Sequence, residues 1–287
     1  MAQKIKRRLA PDPTGIAESA EILRNGALLG LPTETVYGLA ADAQNETAVA
    51  GIFAAKGRPS FNPLIVHVRN LVAAEKFAEF PEDARRLAEA LWPGPLTLVL
   101  PLREGHGLAP VVTAGLSTVA LRVPSHPVAL AVLEEFDGPI AAPSANPSGR
   151  LSPTRAEHIL GGLGTALAGV IDAGPSAHGL ESTIIGFASE VALLREGAIA
   201  REDIEALLTT PLGEPSGSAD QPTSPGQLLR HYAPGVPLRL NATAARSDEI
   251  MLGFGEITGD ASLSETGDLR EAAARLFDCL HALELRG

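Results

Sequence analysis

The chain has 287 residues with a formal net charge of −11, and 45% of them are hydrophobic. This length allows one large domain or two unequal ones. The acidic balance opposes broad nucleic-acid binding, which usually requires a basic face, but it does not exclude a local basic site. Cys279 is the single cysteine, which excludes an intramolecular disulfide and a cysteine-based metal cluster. Its apolar helical surroundings indicate a core position.

The amino-terminal residues are basic but have no features of a targeting signal. Lys4, Lys6, Arg7 and Arg8 are followed by Pro11-Asp12-Pro13 and not by an apolar run, so neither a signal peptide nor an anchor is expected. No segment approaches the length of a membrane-spanning helix. We therefore expect a cytoplasmic protein, and its 29 Gly and 23 Pro between periodic segments indicate a turn-rich α/β enzyme.

Predicted helices and short apolar strands alternate irregularly along the first 208 residues. Helices are predicted over residues 14–25, with Thr14 as the N-cap, and over 47–55, 70–79, 81–91, 126–136, 152–160 and 204–208. Strands are predicted over residues 27–31, 64–68, 96–100, 118–123, 139–142, 170–172 and 191–194. Residues 103–116 are glycine-rich and predict a mobile loop. Because strict βαβ repetition is missing, we expect a mixed, strongly twisted sheet.

The composition changes after residue 208. Residues 209–225 are rich in Pro, Gly, Ser and Thr, which predicts a linker containing a domain boundary. The linker ends with Arg230-His231-Tyr232, a run that suggests packing on a domain or covering a site. Strands at 236–240 and 250–254 and an amphipathic helix at 268–285 then predict a small α/β module.

Polar loops follow several of the short strands, and one of them, residues 56–63, is rigid. Pro59 and Pro63 restrict its backbone and hold Lys56 and Arg58 two positions apart. For a single Lys-x-Arg, a solvated loop is the commoner interpretation, and Lys56 at a helix end also suits the helix dipole. The comparable polar loops are residues 32–38, 143–149, 179–183 and 195–197.

Two further candidate site residues are polar side chains on predicted apolar strands. Arg122 lies between Leu121 and Val123, where a guanidinium needs a carboxylate or a ligand anion as its partner. His67 ends another apolar strand, and a lone buried histidine is more often a satisfied core residue than a functional one.

Several common catalytic motifs are missing from the sequence. It contains no P-loop, no G-x-G-x-x-G, no paired zinc-ligand spacing and no nucleophile elbow. The polar loops offer many donors and few candidate bases, which favours binding and orienting a polyanion with catalysis by charge stabilisation. Phosphoryl or nucleotidyl transfer therefore fits better than hydrolysis by a nucleophilic side chain.

The ordered motifs of the chain resemble those of the threonylcarbamoyl-AMP synthase family. They lie at residues 32–39, 56–64, 92–97, 122–124, 143–149, 181–184, 194–197 and 224–234. The resemblance covers residues 15 to about 287 and implies the long, two-domain form of the family. It implies an α/β fold: a twisted mixed-sheet YrdC-like domain with a concave basic site, and a small Rossmann-like C-terminal α/β domain. The expected bounds are 1–208 for the catalytic domain, 209–235 for the linker and 236–287 for the small domain.

The same resemblance implies an activity and its participants. Members convert L-threonine, bicarbonate and ATP to threonylcarbamoyl-adenylate and pyrophosphate, the first step of a tRNA modification. Mg²⁺ is expected to accompany ATP and to be held mostly by phosphate and water oxygens, with no protein ligand assigned. A separate complex then transfers the threonylcarbamoyl group to tRNA, and the resemblance allows a weak tRNA contact by this chain.

The resemblance also assigns roles to individual residues. It places Lys56, Arg58, Ser144 and Asn146 in a catalytic tetrad around the triphosphate. It places Thr35, His67, Arg122, Ala142 and Ser182 around the threonine, where Arg122 suits the carboxylate. It places Arg58, Asn62, Thr118, Ser144, Ser152, Arg195 and His231 near the nucleotide.

Two departures from the family pattern affect the C-terminal part. Residues 227–229 are Gln-Leu-Leu, where the family has Met and more polar residues. A module of about 50 residues is also marginal for an independent core, so it is either truncated or leans on the first domain.

Two other functions compete with the synthase. A double-stranded RNA or tRNA binder without catalysis is opposed by the net charge of −11. A related carbamoyltransferase domain that uses an acyl phosphate usually belongs to a much longer chain with zinc-finger-like cysteines.

Overall fold

The computed structural model describes residues 7–163, 166–188, 190–214, 224 and 232–286, with the backbone alone at residue 160. Its helices are α1 (Pro13–Arg24), α2 (Glu46–Lys56), α3 (Leu71–Ala74), α4 (Glu82–Leu91), α5 (Pro127–Phe136), α6 (Ala156–Leu160), α7 (Arg201–Glu205) and α8 (Leu269–Glu284). Its strands are β1 (Arg8–Leu9), β2 (Leu29–Leu31), β3 (Gly38–Asp42), β4 (Ile65–His67), β5 (Leu96–Pro101), β6 (Thr118–Arg122), β7 (Ile140–Ala141), β8 (Gly169–Ile171), β9 (Thr183–Gly186), β10 (Ala192–Arg195), β11 (Leu252–Gly253) and β12 (Ala261–Ser262).

A ten-stranded sheet forms the centre of the molecule. Its strand order is β1-β8-β2-β3-β7-β4-β6-β5-β9-β10. Strand β4 pairs with β6 in parallel and with β7 in antiparallel orientation, and β5 likewise pairs with β9 in parallel and with β6 in antiparallel orientation. The prediction of a mixed sheet is therefore confirmed.

The two faces of this sheet differ in character because side chains alternate along each strand. On β4 and β6, Val66 and Leu121 point into the main hydrophobic core. Ile65 and Ala120 point to the opposite face, where they belong to a much smaller apolar cluster. The parallel register sets His67 directly beside Arg122, so two polar side chains end neighbouring strands on the smaller cluster's side.

Local chemistry explains where the helices next to the site begin and end. Asp12, and not the predicted Thr14, caps α1, since its side chain accepts a hydrogen bond from the backbone N–H of Gly15. Asn45 caps α2, which ends at Gly57 in the left-handed conformation at φ 59°. This end leaves the Lys56 side chain in the last turn, facing the loop that follows β7.

Two predicted segments differ from the expectation: one helix is shorter, and one loop is partly anchored. The helix predicted over 70–79 is limited to α3, because Ala78 and Glu79 instead pair with the end of β5. The predicted mobile loop, residues 103–116, is anchored over its second half. Leu108 and Val112 are buried in the main core, and the Val112 carbonyl accepts a hydrogen bond from the N–H of Leu64.

The first residues of the predicted linker are fastened to the large sheet domain. The Asp83 carboxylate accepts hydrogen bonds from the backbone N–H and the hydroxyl of both Thr209 and Thr210. Burial would raise the pKa of Asp83, but these hydrogen bonds outweigh it and lower the pKa to about 2. Most of the rest of the predicted linker, residues 215–223 and 225–231, lies outside the described residues.

The C-terminal module contains the parallel pair β11–β12 and helix α8. The predicted strand at 236–240 is wrong. Residues 236–240 form no strand, and the apolar side chains of Val236, Leu238 and Leu240 are 43%, 55% and 72% exposed. A strand needs a partner ladder, and β11 pairs with β12 instead. The strand predicted over 250–254 is reduced to the two residues of β11.

Helix α8 packs against the large sheet domain, in line with a small module that leans on its neighbour. Phe277 is 5% exposed and contacts a cluster that includes Val36. Arg155 and Asp278 form an ion pair of 2.7 Å. The rings of His158 and His281 stack with centroids 4.0 Å apart.

We predict that this histidine stack makes the protein less stable in mild acid. Burial first, and the neighbouring His281 second, lower the pKa of His158 to about 4, although Asp278 opposes the shift. Burial lowers the pKa of His281 as well. The unfolded chain, with an imidazole pKa of about 6.5, binds more protons between pH 6.5 and 4, so stability falls as the pH is lowered through that window, by about 3 kcal/mol for His158 at the limit.

The measurement is urea unfolding at pH 7.5, 6 and 5. We expect His281→Gln to reduce the loss of unfolding free energy on acidification. His178→Gln, which alters an exposed histidine, is the control and should leave the loss unchanged. Equal pH dependence in all three proteins would contradict the role of the stack.

Candidate active site

A cavity on the sheet face away from the main core collects polar residues from several loops and strands. It lies where β4, β6, β7 and β10 bring their ends close to the loop after β2. The residues that line it are Thr33, Thr35, Val36, Gly38, Arg58, Ile65, His67, Arg122, Ala142, Pro143, Ser144, Glu181 and Arg195.

The structure brings many of the predicted site residues to this cavity and places others behind it. Those that line it are Arg58, Ser144, Thr35, His67, Arg122, Ala142 and Arg195. Those that contact a lining residue from behind are Lys56, Asn62, Ser152 and Ser182, while Asn146 shares the amine of Lys56 with Ser144. Thr118 begins β6, four positions before Arg122 on the same face, and is not among the lining residues. His231 lies outside the described residues.

Arg58 is held by the segment that carries it. Its Nε donates to the Asn62 carbonyl at 3.2 Å, and its Nη2 donates to Asn62 Oδ1 and to the Pro63 carbonyl, both at 2.7 Å. Among the described residues, no hydrogen bond is made by its Nη1. Burial first, and the charge of Arg195 second, lower the pKa of Arg58 to about 10, so the group remains a cation at neutral pH.

Lys56 braces the loop that follows β7. Its ammonium group donates to the backbone carbonyls of Ser144 and Asn146, and its side chain is buried at 4% exposure. Burial first, and the charge of Arg58 second, lower its pKa to about 7. The lysine predicted to touch phosphate therefore has a structural task of its own, which is to fix the positions of two members of the same tetrad.

Three buried polar atoms near the cavity have no hydrogen-bond partner among the described residues. They are Asn62 Nδ2, His67 Nδ1 and Asn146 Oδ1. Leaving such a group unpaired costs about 1–3 kcal/mol, and natural proteins rarely do so without a functional reason. A donor, an imidazole nitrogen and an acceptor are thus available for a ligand.

The threonine-rich loop after β2 combines a turn with a cavity wall. The Thr33 hydroxyl donates to the Val36 carbonyl at 2.6 Å and lies 2.8 Å from the Thr35 hydroxyl. Thr33 therefore stabilises its own turn, and Thr35, fully buried, is fixed by that turn beside the cavity.

Arg195 and Ser182 are joined by a compact hydrogen-bond network. Arg195 Nε and Nη2 donate to the Ser182 carbonyl at 3.1 and 2.9 Å, and Nη2 also reaches the Ser182 hydroxyl at 3.0 Å. That hydroxyl also lies 2.7 Å from the Thr97 hydroxyl. Sequence reasoning missed Glu181, which lines the cavity and accepts a hydrogen bond from Ser152 at 2.9 Å; its position beside Ser182 was the available signal.

Arg122 has the carboxylate partner that its sequence context required. Its Nη2 donates to Glu34 Oε1 at 2.6 Å, and both side chains are almost fully buried. Burial would raise the pKa of Glu34, but the charge and hydrogen bond of Arg122 outweigh it, and the pKa is lowered. Sequence reasoning counted Glu34 only as part of the polar loop at residues 32–38 and did not predict its pairing with Arg122.

Family models match nearly the whole chain. One, described as telomere recombination and named for the Sua5, YciO and YrdC proteins, matches residues 21–197. A second, described as the C-terminal domain of threonylcarbamoyl-AMP synthase, matches residues 199–287. The chain belongs to the threonylcarbamoyl-AMP synthase family.

Individual members of the threonylcarbamoyl-AMP synthase family are closely similar to it. The synthase of Bacillus subtilis is 48% identical over 237 residues, covering 81% of this chain and 68% of that protein. The synthase of Pyrococcus abyssi is 46% identical over 224 residues, covering 76% and 65%. The chain thus spans about two thirds of the length of these curated relatives.

A solved structure extends the similarity to the fold. The Sua5 protein of P. abyssi, complexed with L-threonine, matches with a TM-score of 0.85 at 36% sequence identity, covering 98% of this chain and 89% of that one. Within the described part of the chain, no helix is both long and apolar enough to cross a membrane.

We predict that Lys56→Met destabilises the protein. Methionine keeps much of the length of lysine but removes the donors, so two carbonyls lose their partner at about 1–3 kcal/mol each. We expect this cost to outweigh the gain from removing a buried charge. The measurement is the free energy of unfolding in urea at pH 6, where the ammonium is charged. Lys76→Met, which alters an exposed lysine outside the cavity lining, is the control. Equal stability of the two variants would argue against the brace.

Proposed function

We propose that this chain catalyses formation of threonylcarbamoyl-adenylate and pyrophosphate from L-threonine, bicarbonate and ATP, the first step of threonylcarbamoyladenosine modification of tRNA. The observation that carries the proposal is one cavity lined by Arg58, Arg122 and Arg195, each held through its Nε and Nη2 atoms. Pre-positioned cations of this kind suit two anionic substrates. The named relatives favour the synthase over the RNA-binding alternative.

The threonine is assigned to the part of the cavity nearest Arg122. The guanidinium takes the carboxylate, and Thr35 and Ala142 surround the substrate, with Ser182 behind Arg195. Burial first, and the charge of Arg122 second, lower the pKa of His67 to about 3. A neutral imidazole with an unpaired Nδ1 can accept a hydrogen bond from the substrate amine, and it adds no positive charge that would repel an ammonium.

The phosphates are assigned to the side of Arg58 and Ser144, with Lys56 and Asn146 completing the tetrad. The neutral threonine amine adds to the carbon of bicarbonate with loss of water, giving a carbamate. A carbamate oxygen then attacks the α-phosphorus as the bond to the pyrophosphate oxygen breaks. Arg58 stabilises the charge that develops on the phosphate oxygens. The remaining nucleotide contacts are assigned to Asn62, Thr118, Ser152, Arg195 and His231.

Mg²⁺ would be held with the phosphates on the Ser144–Asn146 side. Asn146 Oδ1 is a buried oxygen without a partner in the described structure, and hydroxyl and amide oxygens suit this hard cation. The ion would neutralise phosphate charge. The site residues thus fit a metal that is bound mainly through its nucleotide.

Other features of the proposal concern the whole protein. The arginine-lined cavity is the concave basic site, and the module with β11, β12 and α8 is the core of a Rossmann-like C-terminal domain. The domain bounds stay at 1–208, 209–235 and 236–287. The product passes to a separate complex that acts on tRNA, with at most a weak tRNA contact by this chain, and the location is the cytoplasm.

Omission of substrates tests the reaction directly. Pyrophosphate release should require ATP, threonine and bicarbonate together, and leaving out any one of them should abolish it. Release that continues without threonine would contradict the proposal. RNA binding that weakens steeply with salt, with no pyrophosphate released, would favour the RNA-binding alternative.

We predict that Arg58→Gln lowers the rate of pyrophosphate release by about 100-fold or more, because it removes a cation that stabilises developing phosphate charge. Its stability must be measured alongside, since Arg58 also closes its own loop. Arg85→Gln, on the outer surface of α4, is the control and should retain full activity. A folded Arg58→Gln protein with normal activity would rule out this assignment.

A further inference from the structure

The buried ion pair between Glu34 and Arg122 joins two segments that are 88 positions apart in sequence. The Arg122 side chain is 3% exposed and that of Glu34 is 6% exposed. Arg122 lines the cavity, but Glu34 does not, so the carboxylate stands behind the guanidinium. This arrangement leaves Glu34 without direct access to a ligand, and its hydrogen-bonded contact with the cavity lining is Arg122.

The hydrogen bonds of Arg122 occupy one edge of its guanidinium. Nε donates to the Gly94 carbonyl at 3.3 Å and Nη2 donates to Glu34 Oε1 at 2.6 Å. Both atoms belong to the side edge of the planar group. No hydrogen bond of Nη1 is present among the described residues, so the end edge formed by Nη1 and Nη2 is available to a ligand. That edge has the fork geometry that binds a carboxylate through two parallel hydrogen bonds.

Glu34 is itself fixed in position by a second contact. Its Oε2 accepts a hydrogen bond of 3.3 Å from the backbone N–H of His126, just after β6, and its own carbonyl accepts one of 2.7 Å from the N–H of His178. Two acceptor oxygens are therefore used at once. Glutamine offers only one acceptor oxygen and would turn its NH₂ group toward either Arg122 or the N–H of His126.

We propose that Glu34 is the positioning residue for the amino-acid substrate: it clamps the side edge of Arg122 so that the end edge is presented to the α-carboxylate of threonine. The inference rests on the proposed function and deepens it. Without substrate Glu34 balances the buried charge of Arg122, and with substrate the guanidinium lies between two carboxylates. The orientation of the guanidinium is settled before the substrate arrives, so little ordering remains to be done on binding.

The proposal makes a selective prediction about Glu34→Gln. We expect the KM for threonine to rise about 10- to 100-fold, the range for losing one or two charge-assisted contacts, while the KM for ATP stays near that of the unaltered protein. Calorimetric binding should show the same loss for L-threonine but not for L-threoninamide, which lacks the carboxylate. A merely structural role, acting through the neighbouring Thr33 and Thr35 of the loop, would weaken threonine and threoninamide binding alike.

The matched control is Glu75→Gln, which removes an ion pair with Arg85 away from the cavity and should leave the KM for threonine unchanged. A double-mutant cycle with Arg122→Lys adds a second criterion. If Glu34 acts through Arg122, Glu34→Gln should add little to the threonine KM of Arg122→Lys. Should Glu34→Gln fail to fold, Glu34→Asp keeps the charge at a shorter reach, and the same selective rise is expected.

The outcomes separate the inference from the proposed function. If the unaltered protein releases no pyrophosphate and binds no threonine, the proposed function fails. If the unaltered protein is active but the Glu34 variant binds threonine as well or more tightly, the clamp is overturned and the activity stands. Additive effects in the double-mutant cycle would also overturn the clamp.

Discussion

Burial of cations on one face of the sheet is the constraint on which the candidate site depends. Lys56, Arg58 and Arg122 are 4%, 8% and 3% exposed, and a buried charge without partners would be strongly destabilising. Each is met by oxygen atoms: the carbonyls after β7 for Lys56, Asn62 and Pro63 for Arg58, and the Glu34 carboxylate for Arg122. The loops that supply these oxygens also line or flank the cavity. The cations and the shape of the cavity are therefore maintained together.

Much of the site could be predicted from the sequence because its motifs are local. Within the run from Lys56 to Pro63, Arg58 donates hydrogen bonds to Asn62 and Pro63. The alternation of side chains along β6 directs Arg122 away from the main core. The pairing of Glu34 with Arg122 and the position of Glu181 in the cavity were not predicted, since both arise from contacts with distant segments. The Arg122 partner is 88 positions away, and no local spacing reports such a contact.

Local sequence patterns also failed to predict those parts of the fold that depend on distant pairing. Long apolar periodicity correctly predicted α4, α5 and α8, whereas the helix expected over 70–79 gave way to pairing of residues 78–79 with the end of β5. The alternation at 236–240 looks like a strand, but no described strand lies beside it to accept its hydrogen bonds. Tertiary pairing decided both cases: it formed at residues 78–79 and is missing at residues 236–240.

The family motifs mark residues with two different physical tasks. Arg58, Arg122 and Arg195 face the cavity, while Lys56 and Ser182 hold residues that do so. Loss of activity on substituting a motif residue is therefore not evidence that it touches substrate. Measurements of unfolding free energy and of the KM for each substrate distinguish these two tasks. Losing a residue that braces a loop lowers stability and weakens the binding of every ligand that depends on that loop. By this reasoning Glu34 is an intermediate case. It braces the Arg122 guanidinium, so the proposed clamp affects the binding of threonine and not that of ATP.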